Sequence, residues 1–321
     1  MIKISVLTTI YNETFSQVKR AIQSVKNQSG QNFIVEHVII IDNPQYKDMS
    51  QLSIFVNALS NSNFYTVIVQ NKKNLGLSQS LNKAIKISTS DILARLDSDD
   101  WMNDGRLYAQ YRSLVSSNAD IVYTDTLLSS VDKNEYEYVY ALGTDKIKKL
   151  LPLKNFISHS SVMIWKPAVI SVGKYRNLEP AEDYDLWLRF KNTGKVFAYI
   201  SEPLTIREVH SDSVSNSNLY YQIKMAKFVR KLNKHPEKNS LYSREMPKNL
   251  KNKNKLGKIN KKISSFRTAK GWKKIWLGLS SLFIMKTSIN DAYFEFILIK
   301  WIFSSIFYIV KSLELPLIKR S

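Results

Sequence analysis

Four short apolar runs, each ending abruptly in polar residues, constrain this chain more than any other feature. The first, IKISVLTTI from Ile2, carries alternating β-branched residues into Tyr11-Asn12-Glu13, the pattern of a strand entering a loop. Helical spacing follows at Phe15, Val18, Ile22 and Val25. A second run, Val38 to Ile41, stops at Asp42-Asn43-Pro44. A third, FYTVIVQ from Phe64, gives way to a glycine-containing turn and a helical pattern in NKKNLGLSQSLNKAIKIS. The fourth, from Ile92 to Leu96, ends in Asp97-Ser98-Asp99-Asp100. Strands that alternate with helices and all end in polar residues predict an α/β fold. Its mostly parallel sheet is flanked by helices, and its ligand crevice lies at the strand C-termini.

The fourth run carries the strongest chemical signal. Three carboxylates within four residues repel one another, so a fold that gathers them supplies positive charge. Hard divalent cations with oxygen ligands, Mg²⁺ or Mn²⁺ that also grip a diphosphate, meet that demand. A polar turn capping the next helix is the alternative, since Asp is common at N-caps. Arg106, just past the cluster, is read as pairing with it.

The ordered series Tyr11-Asn12-Glu13, Ser24, Gln28, Asp42, Asn74-Leu75-Gly76, Asn82 and LDSDDW resembles the family 2 inverting glycosyltransferases of the GT-A fold. His159-Ser160, then Glu182-Asp183-Tyr184-Asp185-Leu186-Trp187, then Arg207 and His210 continue the resemblance in order, over roughly residues 3 to 215. It implies a Rossmann-like, nucleotide-sugar-binding domain of the bacterial polysaccharide-biosynthesis type. Asp99 would then coordinate Mn²⁺ or Mg²⁺ directly, with Asp97 on ribose or the metal shell and His210 reaching the metal or diphosphate. Tyr11, Glu13 and Asp42, at the ends of the first two strands, would meet base and ribose, with Arg207 on phosphate. The family's usual Asp-Asp-Gly-Ser after the second strand is Asp42-Asn43-Pro44-Gln45 here. The acid at 42 keeps a UDP donor as the default, while the amide at 43 donates as well as accepts. Asp183 would be the general base, with Glu182 supporting it or touching the acceptor; an ordinary charge pair at a helix N-terminus is the plainer reading. Trp187 reads as core. His159 and Trp165 read either as core or as an acceptor-side wall, and loops around 126–158 and 171–181 as the determinants of sugar and linkage. Lys73 reads as a solvated lysine.

Charge is concentrated at one end. Residues 224–321 hold 23 Lys and Arg against five Asp and Glu, a net of +18 within an overall +20. Apolar runs interrupt the basic stretch, notably Lys273 to Met285 and Ala292 to Val310, as membrane-docking segments do and nucleic-acid arms do not. In the second run, eleven Leu, Ile, Phe and Val residues favour insertion by roughly 3 to 7 kcal/mol in total; Lys300 near the centre offsets about 3 kcal/mol of this, and Glu295 near one end adds a further penalty. A sum near zero predicts a segment lying in the interface, with a buried helix packed on the catalytic domain as the alternative. The expected organisation is a catalytic domain over 1–223, a basic helical or linker region over 224–274, and an amphipathic or membrane-associated helical tail over 275–321. The chain has no cysteine, which excludes disulfides and zinc–thiolate sites and fits a reducing compartment. Its N-terminus enters a strand without a secretory signal pattern.

The combined expectation is a metal-dependent inverting glycosyltransferase, cytoplasmic and peripheral at the inner face of the cell membrane. Its partners would be a nucleotide-sugar donor, a lipid-linked glycan acceptor and the membrane surface, with no nucleic acid. A basic nucleic-acid-binding protein or metal-dependent nuclease, and a catalytically inactive sugar-binding scaffold, are the alternatives.

Overall fold

A computed structural model describes residues 1–28, 33–130, 135–209 and 219–235. His210 and the segments 236–274 and 275–321, with Glu295 and Lys300, lie outside the described residues. Residues 1–209 together with 229–235 belong to one compact unit.

The unit begins β1 (Ile2–Ile10), α1 (Phe15–Lys26), β2 (Phe33–Ile41), α2 (Met49–Leu59), β3 (Phe64–Gln70), α3 (Leu77–Ile87) and β4 (Ile92–Arg95). β1 pairs in parallel with β2 and with β4, and β2 in parallel with β3, giving the spatial order β3-β2-β1-β4. Eight of the nine residues of β2 are buried. That follows from a parallel sheet covered on both faces, and it explains why the run Val38-Ile39-Ile40-Ile41 does not alternate. α1 starts at a capping box in which Thr14 and Gln17 exchange bonds, satisfying two free N-terminal amides. It turns Val18, Ile22 and Val25, all fully buried, into a core shared with Ile4, Val6 and Ile39, each burial stabilising by roughly 1.5–3 kcal/mol. Right-handed crossovers place α1 and α2 on one face; the chain then reverses direction past β1, which puts α3 on the other. The reversal separates the ends of β1 and β4, and such a switch point opens a crevice. Tyr11-Asn12-Glu13 and Asp97 leave the sheet at those two ends.

Beyond β4 the sheet becomes mixed. The chain continues through β5 (Trp101–Met102), α4 (Arg106–Ser116), β6 (Ile121–Ser130), β7 (Glu135–Val139), α5 (Thr144–Leu150), a single 3-10 turn (His159–Ser161), β8 (Met163–Trp165), α6 (Lys166–Ser171), α7 (Glu182–Asn192) and β9 (Phe197–Val209). β8 runs antiparallel to both β4 and β6, β9 is parallel to β6, and β5 and β7 are antiparallel to β9 and β6. The acidic segment is therefore tied at both ends, by β4 on one side and by the pairing of Trp101 with Ile206 on the other. A last helix, α8 (Leu219–Lys234), brings Asn233 to α7. There Asn233 donates to Asp185 at 2.9 Å and accepts from Asn192 at 2.8 Å. Among the described residues no helix is long and apolar enough to cross a membrane.

Candidate active site

The acidic turn is held in place by its own backbone and by neutral acceptors on neighbouring segments. Asp100 N–H bonds to Asp97 O at 3.2 Å, closing a tight turn. Ser98 Oγ donates to Thr9 O at 2.9 Å, and Asp97 N–H donates to Ser160 Oγ at 2.7 Å. The three carboxylates then part company. Asp97 pairs with Arg95, whose guanidinium also donates to Leu7 O at 2.9 Å. Burial opposes ionisation of Asp97, but Arg95, His159 and Arg207 outweigh it and hold its pKa below the usual carboxylate value. Asp99 goes the other way, pushed up to about 6 by burial and by the charges of Asp97 and Glu13. Asp100 is buried, accepts from Glu208 N–H at 3.2 Å and lies 3.9 Å from Arg207 Nε. Burial, with Asp97 and Asp99 nearby, raises its pKa well above the normal range.

Besides Arg95 and Arg207, two further arginines lie near this turn. Arg106 is fully buried and donates to Gln110 at 2.9 Å and to Arg95 O at 2.9 Å rather than pairing with an acid. Burial lowers its pKa to about 9. Arg20 stacks 4.0 Å from the centre of Trp101, donates to Asp99 O at 3.0 Å and pairs with Glu208. Among the described residues no three His, Asp or Glu side chains converge in ligating geometry. The donor set fits a divalent cation: Asp97 and Asp99 offer hard oxygen ligands, and a magnesium-type ion needs only one or two carboxylates when phosphate oxygens complete its shell.

Beside the turn opens a cavity of about 320 Å³, and residues far apart in sequence meet in its wall. Asp97, His159, Asp183 and Arg207 all line it, together with Tyr140, Asn155 and Phe156. Asp183 stands at the start of α7. Its Oδ1 accepts from Tyr184 N–H at 2.6 Å and its Oδ2 from Asn155 Nδ2 at 2.9 Å. Burial pushes it up to about 6, against those two bonds. Glu182 is buried, with one carboxyl oxygen unpartnered among the described residues. Burial and the neighbouring Asp183 raise it to about 8. His159 bonds to Tyr175 Oη at 2.8 Å, and burial with Arg95 and Arg207 nearby lowers it to about 3. Trp165 is not in this wall, and Trp187 is fully buried against His159 and Phe190.

On the β1–β2 side, Glu13 accepts from Tyr11 N–H at 2.7 Å, leaving the Tyr11 ring exposed at the loop. Asp42 is buried and faces the Asn74–Gly76 turn. It accepts from Asn71 Nδ2 at 2.7 Å and from Leu75 and Gly76 N–H at 2.8 Å each. Asn43 donates to Tyr11 O and Asn12 Oδ1, both at 3.0 Å, so the residue that departs from the usual acid fastens two loops together. Gly76 has φ +84°, and a Cβ there would meet Glu179 Oε1 at 3.0 Å. Glu179 accepts from Ser78 N–H at 2.7 Å at the start of α3.

Several of these partners escape sequence reasoning. Arg95 is legible in principle, as a charge inside an otherwise apolar strand. Asn155, Tyr175 and Glu179 carry no spacing signal and reach the site only through the fold.

The model of glycosyl transferase family 2 matches residues 5–173. The chain belongs to that family. It is an enzyme of the glycosyltransferase class, with the GT-A fold. The family relatives include the amylovoran biosynthesis glycosyltransferase AmsE of Erwinia amylovora, 29% identical over 224 residues that span 68% of this chain and 81% of that protein. Another is an Escherichia coli UDP-Gal:alpha-D-GlcNAc-diphosphoundecaprenol beta-1,3-galactosyltransferase, 28% identical over 60% of this chain and 69% of that protein. The structure of S. aureus TarS (residues 1–349) in complex with UDP-GlcNAc superposes with a TM-score of 0.55 at 15% identity, over 72% of this chain and 67% of that one. That likeness establishes the fold.

Proposed function

We propose that this family 2 enzyme transfers a sugar, with inversion, from a UDP-sugar to a hydroxyl of a lipid-linked glycan during cell-surface polysaccharide assembly. The observation that carries the reading is the meeting of Asp97 and Asp183 in the wall of one cavity, with Arg207 beside both. Leaving-group and acceptor chemistry need to be that close, because an attacking oxygen must sit within about 3–3.5 Å of the reacting carbon. The bound nucleotide sugar in the TarS structure and the name of the galactosyltransferase relative support a UDP donor and a diphospholipid-borne acceptor.

In this reading Asp183, ionised above its raised pKa, takes the proton of the acceptor hydroxyl. The oxygen attacks the anomeric carbon from the face opposite the leaving group; the new C–O bond forms as the sugar–phosphate bond breaks, and its electron pair leaves with the diphosphate. Protonated Glu182 donates to the acceptor or to Asp183 and does not compete as a base. Arg207 faces the charge that develops on the diphosphate. Tyr11, Glu13 and Asp42 border the nucleotide, with Asp42 acting chiefly through the turn it fixes. Asp99, Asp97 and His210 would hold Mn²⁺ or Mg²⁺, which supplies Lewis-acid stabilisation of the departing diphosphate. The basic, apolar tail, by its composition, keeps the enzyme at the anionic cytoplasmic face of the membrane.

A panel of nucleotide sugars, incubated with Mn²⁺ or with EDTA, tests this. One donor should release its nucleotide only with metal, and Asp99→Ala should abolish that release. Failure of every donor to bind under both conditions would overturn the reading.

A further inference from the structure

Two aromatic rings, Tyr140 and Phe156, line the cavity, and none of the roles assigned above uses them. Tyr140 lies in the cavity wall yet is 73% exposed. An exposed ring that size ordinarily stands alone; this one is backed by a second ring. It stacks on Tyr138 with ring centres 4.2 Å apart and planes 30° apart, leaving its second face open.

Tyr138 is itself anchored. Its hydroxyl donates at 3.0 Å to Asp125 Oδ2, and the other carboxylate oxygen accepts from Ala141 N–H at 2.6 Å and Tyr199 Oη at 2.8 Å. Asp125 is fully buried, and it sits where the β6–β9 register slips, opposite Pro203 instead of continuing the ladder after Thr124 and Ile200. One buried carboxylate thus binds both sides of Tyr140 in sequence, residue 138 and residue 141. This is more apparatus than a solvent-exposed tyrosine needs for stability, and it presents a flat ring to the cavity that contains Asp183.

We propose that Tyr140, backed by Tyr138 and positioned by Asp125, is a stacking platform for the sugar ring of the acceptor. The ligand class is a pyranoside with one face of axial C–H groups. The weakly positive hydrogens of that face match the negative face of an aromatic ring. The ring's rim hydroxyls are then free to point toward Asn155 and Asp183. A cavity of about 320 Å³ is at the small end for ligand sites, which suits a terminal sugar and not an extended chain. The assignment rests on the transferase reading for which hydroxyl reacts, but the platform itself is defined by Tyr140.

Saturation-transfer NMR on the full chain separates the two. The probes are methyl β-D-galactopyranoside and methyl β-D-glucopyranoside, with open-chain sorbitol as a control and UDP with diamagnetic Mg²⁺ as a reporter of the nucleotide site. Wild type and Tyr140→Phe should saturate the axial ring protons of a glycoside, and Tyr140→Ala should weaken binding roughly ten-fold. The side chain is exposed, so Tyr140→Ala should keep the fold, and its circular dichroism spectrum checks that. Equal glycoside signals in wild type and Tyr140→Ala, equal signals from sorbitol, or no glycoside signal in wild type would each overturn the platform. Absence of uracil signals in wild type would instead overturn the transferase reading, and dependence of the glycoside signal on Tyr140 would still uphold the platform.

Discussion

Replacing Asp42 by alanine removes the acceptor for three donors at once, and the consequences differ among them. Leu75 N–H loses a 2.8 Å bond to a charged group. Gly76 N–H keeps Asn74 Oδ1 at 2.9 Å, and Asn71 Nδ2 keeps Ser80 Oγ at 2.9 Å. Hydrogen bonds to charged groups contribute about 1.5–3 kcal/mol each. With two of the three donors still satisfied, Asp42→Ala should cost about 2–4 kcal/mol rather than the full sum. Asp42→Asn keeps one good acceptor oxygen but turns an amide toward a donor, and should cost about 1–3 kcal/mol. Urea unfolding followed by circular dichroism measures both through the linear dependence of stability on denaturant. In the proposed function the turn between β3 and α3 borders the nucleotide, so donor affinity should fall in the same order as stability. A loss below about 0.5 kcal/mol for Asp42→Ala, within the range of an ordinary surface substitution, would refute the clamp and the account of that loop built on it.

Three further outcomes follow from the site and the tail. Glu182 has a folded pKa raised from 4.5 to about 8, so its protonated form is favoured by folding and stability falls as pH rises toward 8. Thermal unfolding of the metal-free protein should therefore occur at lower temperature at pH 8.5 than at pH 6, and Glu182→Gln should flatten that dependence; a wild-type protein equally stable at both would contradict it. Asp183, raised to about 6, must be ionised to accept a proton, so kcat/KM should climb from pH 5 to about 7 and then level, and a flat acid side would count against its role as base. The full chain should sediment with vesicles rich in anionic lipid and be partly released by high salt. A chain ending after His235, which keeps the Asn233–Asp185 bond, should stay in the supernatant, and equal partitioning of the two would remove the tail from the account.

Much of this was readable from residue patterns, for identifiable reasons. A covered parallel sheet demands long apolar strands, so β1, β3 and β4 announce themselves within a residue or two of their ends. The polar residues at those ends locate the crevice. β2 begins at Phe33, five residues before the continuous apolar stretch, because Glu36 and His37 interrupt it. Both are buried: Glu36 accepts from Tyr65 at 3.0 Å and Thr89 at 2.8 Å, while His37 contacts Thr8 at 3.0 Å. Polar residues buried inside a strand cannot be told from loop residues by sequence alone. The antiparallel half was less legible, since β5 and β8 have only two and three residues and exist by pairing with β9, β4 and β6. At the candidate site, the motifs around Asp97 and Asp183 are visible in the sequence. Their supports are not: Asn155 is 28 positions from Asp183, and Ser160 is 63 from Asp97.

Donor binding and turnover by Asp183→Asn, measured side by side, test the central claim most directly. The amide preserves shape and can still accept from Asn155 or Tyr184, but it cannot take up a proton. The account predicts that the UDP-sugar which turns over in wild type binds this variant with wild-type affinity, while kcat falls by roughly 10²–10⁴-fold. Turnover that survives the substitution within a few-fold would contradict the assignment of Asp183 and, with it, the shared cavity as the place where the glycosidic bond forms.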